Sequence, residues 1–185
     1  TALGYNSLTT MTTGTHNTAV GRYALSTVNN SHNTAVGTNA QKSATGAKNT
    51  SIGEDSLDQV TGDGNIALGY QSGDNITSGS GNVVIGKADV SSATGDDQLS
   101  ISDGEDGSVV WMTGDSSANI TFAATVSAAT AFVPDASGGA DLGTTALEFN
   151  DLFLNDSGSI QFGDDQDTTL THTDGTGLTL NSTNK

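Results

Sequence analysis

The sequence predicts an all-β chain: a parallel β-solenoid of six coils, about 16 residues each, followed by a second, acidic β-rich segment. Three observations carry this. Six units in register fill residues 1–98, with lengths of 17, 16, 16, 16, 17 and 16. Each unit places a short β-prone tetrad immediately before a glycine. Beyond Gln98 the rhythm stops, and short alternating segments separated by turn residues take over.

The tetrads are TALG at Thr1, TAVG at Thr18, TAVG at Thr34, TSIG at Thr50, IALG at Ile66 and VVIG at Val83. Their glycines are Gly4, Gly21, Gly37, Gly53, Gly69 and Gly86, each supplying the positive φ that a tight corner needs. Turn pairs such as Thr13-Gly14, Thr45-Gly46 and Thr61-Gly62 recur later in the unit. One unit thus reads as strand, corner, second short strand, corner. Stacked in parallel, six such coils make a rod of about 29 Å, at about 4.8 Å per coil.

Alternation within the tetrad points to oligomerisation. Positions one and three face one way, and position two (Ala2, Ala19, Ala35, Ser51, Ala67 and Val84) faces the other. Both faces are small or apolar, yet a 16-residue coil has room inside for one. The expectation is that small residues let backbones of neighbouring copies approach closely, giving a trimer.

An asparagine closes each of the first five units: Asn17, Asn33, Asn49, Asn65 and Asn82, with Gln98 in the sixth. Two structural readings stand. Asparagine tolerates the left-handed region and marks a corner, or its amides bond from coil to coil as a ladder. His16 and His32 precede it in successive units and should stack; turn residues are the expectation for them, with a metal site the lesser alternative. Residues just after the corner glycine vary most: Tyr5, Asn6, Arg22, Tyr23, Tyr70, Gln71 and Lys87. If the segment binds anything, these are the candidate surface, and repetition would add weak contacts by avidity. A plain spacer is the favoured reading.

Residues 99–185 hold 13 of the 21 acidic residues and one basic residue. Expected strands are Gln98–Ser102, Ser108–Met112, Asn119–Phe122, Leu152–Leu154, Ser159–Phe162, Thr168–Thr171 and Leu178–Leu180. The stretch Ala123–Ala131 reads as strand or extended connector rather than helix. Trp111, Phe132, Phe149, Phe153 and Phe162 are its bulky anchors, expected in a small core shared around a trimer axis.

Composition excludes several functions. A net charge of −16 leaves nothing to neutralise phosphates or bind anionic lipid surfaces, so neither nucleic acid nor membrane is an expected partner. No Cys is present, removing disulfides, thiolate nucleophiles and Cys-ligated zinc. The longest weakly polar run, Phe122 to Val133, is too short to cross a bilayer. Asp103, Glu105 and Asp106, and likewise Asp164, Asp165 and Asp167, resemble fragments of calcium loops but match no calcium-loop pattern. Solvated turns are expected there, with calcium the minor alternative and no other cofactor. No nucleophile elbow, phosphate loop or dinucleotide fingerprint occurs, and the chain is not expected to be an enzyme. It opens and closes mid-pattern, as a piece of a longer protein would.

The units NTAVGRYALSTVNNSH (17–32) and NTAVGTNAQKSATGAK (33–48) resemble head repeats of trimeric autotransporter adhesins, a repeat type also found in tail fibres of marine bacteriophages. Residues 139–185 are similar to shaft modules of marine phage fibres. The two together favour the phage family, although the adhesin head repeat is usually shorter. The resemblance implies a homotrimeric left-handed parallel β-roll over 1–98, leading into a trimeric β-rich shaft over 99–185. It implies a virion or extracellular location and a structural part in host attachment. Implied partners are the other copies, other virion proteins and a host cell-surface glycan or protein. A bacterial surface adhesin is the alternative, and a glycan-degrading tailspike a more distant one.

Overall fold

The computed structural model describes residues 1–129, 142, 146, 149–155, 159–162, 168–173 and 177–182. It divides into two compact units, Thr1–Ser127 and Ala128–Lys185. Among the described residues there is no helix; every regular element is a strand.

The first unit is a β-solenoid of about six turns. Strands β1 (Ala2–Leu3), β2 (Thr18–Val20), β3 (Thr34–Val36), β4 (Thr50–Ile52), β5 (Ile66–Leu68), β6 (Val83–Ile85) and β7 (Leu99–Ser102) pair in parallel, each with the next. The tetrads lie in register across the sheet. The chain then reverses: β8 (Val110–Gly114) and β9 (Ile120–Phe122) add antiparallel strands to the same sheet, making nine in sequence order. The rhythm breaks at Gln98, yet one more parallel strand, β7, follows it; antiparallel pairing begins with β8, and the compact unit runs on to Ser127.

Each coil holds one strand, not two. The expected second strand is instead a run of turns with alternating left-handed residues. Positions two and four after the corner glycine have positive φ: Tyr23 and Leu25 (60° and 51°), Asn39 and Gln41 (57° and 48°), Asp55 and Leu57 (56° and 50°). A left-handed non-glycine residue costs about 1–2 kcal/mol. Hydrogen bonds between coils offset it. The first of each pair donates to the preceding coil (Asp55 N–H to Thr38 O, 2.9 Å) and the second to the following one (Gln41 N–H to Ser56 O, 3.0 Å). A strand would point its amides alternately to both neighbours; this turn does so in fewer ångströms, letting the coil close within 16 residues.

At the corners, glycine is required twice over. Gly37 sits at φ 139°, and a Cβ there would strike the carbonyl oxygen of Gly53 in the next coil. Gly53 stands in the same relation to Gly69.

The asparagine column is a ladder. Asn33, Asn49, Asn65 and Asn82 are fully buried. Each Oδ1 accepts from the backbone N–H of the next rung: Asn17 from Asn33 (2.7 Å), Asn33 from Asn49 (2.9 Å), Asn49 from Asn65 (2.8 Å), Asn65 from Asn82 (3.0 Å) and Asn82 from Gln98 (2.9 Å). Each Nδ2 donates to a carbonyl in the following turn, as Asn49 does to Gly62 O at 2.9 Å. Gln98, one carbon longer, ends the ladder with Nε2 bonds to Ser92 O (2.8 Å) and Gly95 O (2.9 Å). The corner reading places left-handed backbone at the asparagines, but it falls one residue earlier, at His16, His32, Lys48, Gly64, Gly81 and Asp97.

The core is a narrow column of small and medium side chains. Ala19, Ala35, Ser51, Ala67 and Val84 point into the coil and are fully buried. This corrects the expectation that position two meets other copies: it faces the left-handed turn packed beneath the strand, inside the coil. Ala24, Leu25, Val28, Ala40, Ala44, Leu57, Val60, Ile76 and Val90 join them in the interior. Neighbouring positions compensate in volume. Where Leu25 or Leu57 would recur, Gly73 leaves space that Ile76 fills, its Cδ1 lying 3.1 Å from where a Cβ on Gly73 would be. Gln41 replaces that leucine in the third coil and donates through Nε2 to Thr34 O (3.0 Å), Asn49 O (3.3 Å) and Ser51 Oγ (3.1 Å). Ser51 is the one serine among the five buried tetrad positions; the two departures from the repeat bond to each other.

In the second unit, β10 (Ser159–Phe162), β11 (Thr168–Thr173) and β12 (Gly177–Ser182) form an antiparallel meander with Ile160, Leu170 and Leu180 in register. Residues 152–154 are not a strand and are exposed, contrary to expectation. Residues 123–129 are neither helix nor strand.

Candidate functional site

Two surfaces of the first unit carry apolar or charged groups that the coil itself does not use. The first is the outward face of the sheet. With position two turned inward, position three faces out, and the pairing register aligns Leu3, Val20, Val36, Ile52, Leu68, Ile85, Ile101, Met112 and Phe122 across all nine strands. One aliphatic, Met or Phe side chain occupies every rung, and no charge interrupts the row. Leu3 (67%), Ile52 (46%), Ile85 (39%) and Phe122 (52%) keep large exposed areas. Beside it run Thr18, Thr34, Thr50, Ile66, Val83 and Leu99. At the far end Trp111 is 55% exposed and, with Val109 and Phe122, lines an apolar hollow of about 340 Å³. A shared core was expected to hold Trp111, Phe149 and Phe153; within one chain all three are exposed. Phe132 lies outside the described residues, as does the side chain of Phe162.

The second surface is the corner after the glycines. Tyr5 and Tyr23, from the first and second coils, meet edge to face with centroids 5.6 Å apart. The Arg22 guanidinium stands 4.3 Å from the Tyr23 ring centroid and the Lys42 ammonium 5.8 Å. Both distances are within the reach of a cation–π attraction. A groove of about 460 Å³ opens beside Tyr23 and Lys42, walled by Asn6, Thr9, Thr10 and Thr27. Three turns on, Lys87 lies 5.1 Å from the Tyr70 ring, and Gln71 is half-buried in its left-handed position. Lys42 went unnoticed in the sequence because it occupies a different column from Tyr23; column alignment shows which residues stack, not which long side chain leans across.

His16 and His32 stack with centroids 4.9 Å apart and planes 3° from parallel. Among the described residues, no group of three or more His, Asp or Glu is placed to hold a metal ion. Asp103 spends its carboxylate on backbone: Oδ2 accepts from Val109 N–H (2.7 Å), and Oδ1 from Glu105, Asp106 and Gly107 (3.0, 3.0 and 3.1 Å). The Val109 bond, followed by the others, holds its pKa down to about 2. Asp106 is lowered likewise, chiefly by the Ser108 hydroxyl. Asp164, Asp165 and Asp167 lie outside the described residues. No described helix is long and apolar enough to cross a membrane.

Comparison with family models, curated proteins and solved structures finds no match to this chain.

Proposed function

We propose that this chain is a segment of a homotrimeric virion fibre, with a left-handed solenoid head and a β-rich shaft, whose role is structural and lies in host attachment. The observation that carries the reading is the nine-rung apolar row. A flat face with one apolar side chain per rung, at about 4.8 Å spacing, is matched by the same face of a second and third copy. Parallel copies related by a threefold axis set like rungs level, so each layer closes with one side chain from each chain. The exposure of Phe122 at the end of the row fits the same arrangement. Burial of this row would add about 25 cal/mol for every Å² of apolar surface removed from water.

A high acidic charge suits an exterior protein that must stay soluble at high local concentration. Repeated backbone ladders give a stiff rod, the mechanical property an attachment appendage needs. Catalysis has no part in this reading. Labelling intact particles with antibody against the first unit tests it. Label along a particle appendage, with slower adsorption when Fab is added, is the expected result. Antibody that decorates a cell surface and no particle would move the protein to the bacterial adhesin class.

A further inference from the structure

The inward side of the sheet continues past the last coil. Ser100 pairs with Thr113 and Thr113 with Thr121, so three hydroxyls cross β7, β8 and β9 in one row. Trp111 stands two residues before Thr113 and shares its side of β8, opposite to Met112 and the apolar row. Along the strand the two lie about 7 Å apart. The hairpins that carry β8 and β9 lay no turn beneath them, and Trp111, Thr113 and Thr121 are exposed.

Two hollows open on this side. One, of about 150 Å³, is lined by the hydroxyl row, by Asp89 and Ser91 of the last turn, and by Asp115 and Asn119 of the β8–β9 hairpin. The other is the apolar hollow of Val109, Trp111, Ala123 and Thr125. Ser100 is 1% exposed, and its Oγ has no hydrogen-bond partner in the chain. Ser91 spends its proton on Gln98 Oε1 (2.8 Å) and offers lone pairs only. Asp89 accepts through Oδ1 from Asn75 N–H (3.2 Å), leaving Oδ2 for a ligand. The polar hollow therefore asks for donors at its carboxylates and Ser91, and for an acceptor at Ser100. No Lys, Arg or His lines either hollow.

We propose that this side of β7–β9 binds a neutral saccharide, one sugar unit hydrogen-bonded in the polar hollow and the next laid against the Trp111 ring. A sugar hydroxyl both donates and accepts, so one kind of group serves the carboxylates, Ser91 and Ser100. The C–H face of a pyranose supplies the apolar surface that packs on an indole. A metal ion or a lysine ammonium brings no acceptor for Ser100. An anionic sugar meets two carboxylates and no cation. The apolar row looks the other way, so copies joined through it leave this side open. The assignment rests on the attachment reading for its setting and names a ligand class for it.

Trp111 is the single tryptophan of the chain, so its fluorescence reports on this side alone. Titration of the full chain with maltotriose, cellotriose and mannotriose tests the proposal, with trigalacturonate and trilysine as comparison. The expected result is a saturable blue shift with at least one neutral trisaccharide, at a Kd about tenfold below those of both charged probes. Thr113→Val, at an exposed position, should weaken that sugar about fivefold. Ser100→Ala should do the same with unchanged β-sheet circular dichroism, since no bond within the chain is lost. Trp111→Ala, followed by saturation-transfer NMR, should weaken it about tenfold. No saturable shift with any of the three neutral sugars, equal or tighter binding of trilysine or trigalacturonate, or binding indifferent to Trp111 and Thr113 would overturn the proposal. The mass of the same sample by light scattering separates the two readings: a trimer without binding removes the saccharide site, and a monomer that binds removes the fibre.

Discussion

Asn49 shows what a single side chain does in this architecture. It accepts from Asn65 N–H, donates to Gly62 O and carries no solvent contact, so its removal strands one buried donor and one buried acceptor. Asn49→Ala should therefore cost about 3 kcal/mol, measured by denaturant unfolding, while the half-buried Asn75 offers a milder comparison. Gln41 poses the opposite case. Its Oε1 is buried without a partner, and Ser51 departs from the repeat only to meet its Nε2. Gln41 has the backbone of Leu25 and Leu57, so leucine fits there without strain. Gln41→Leu with Ser51→Ala should be at least as stable as the parent, and Ser51→Ala alone less stable. A double-mutant cycle giving no coupling would show that the pair acts independently. The glycine and asparagine columns were legible in the sequence because a repeat exposes a constraint each time it recurs. The left-handed leucines were not, since no local propensity favours φ near 50° for leucine; coil-to-coil hydrogen bonds impose it.

Among elements, the corner is the least forgiving. Gly37→Ala meets both a forbidden φ and the Gly53 carbonyl, and should lose at least about 3 kcal/mol or fail to fold. Gly104→Ala, with no atom within 4 Å of the added Cβ, should change stability by less than about 0.5 kcal/mol. The hairpin between β7 and β8 depends on pH in a predictable direction. The folded pKa of Asp103 lies near 2, below the ordinary 3.8, so its ionised form stabilises the loop above pH 3.8 and that support is lost as pH falls towards 2. Asp58 and Asp74 act the other way: burial raises both, so their ionisation costs stability that is relieved on acidification. An NMR titration should move the Val109 amide with a midpoint about 2; a midpoint near 4 would detach Asp103 from the turn. The antiparallel strands near 99–122 were readable from alternation and turn pairs. The second strand of each coil was misread because a run of left-handed turns presents the same small and polar residues as a short strand between corners.

At the scale of the whole molecule, what one chain leaves uncovered is as informative as what it buries. The inward alanine column and the outward aliphatic row were both visible as periodicities, but which faced in was settled only by the turn that packs beneath the strand. That exchange moves the expected contact between copies from Ala19, Ala35 and Ala67 to Val20, Val36, Ile52 and Ile85. Charge placed in the row should then split the assembly without unfolding the coil. Ile52→Lys, at a side chain 46% exposed in one chain, is the clearest such change. The most direct test is the solution mass of the parent and of Ile52→Lys by multi-angle light scattering. The account predicts three times the 18.5 kDa of one chain for the parent, and a lower mass with unchanged β-sheet circular dichroism for Ile52→Lys. A folded parent at 18.5 kDa would contradict it.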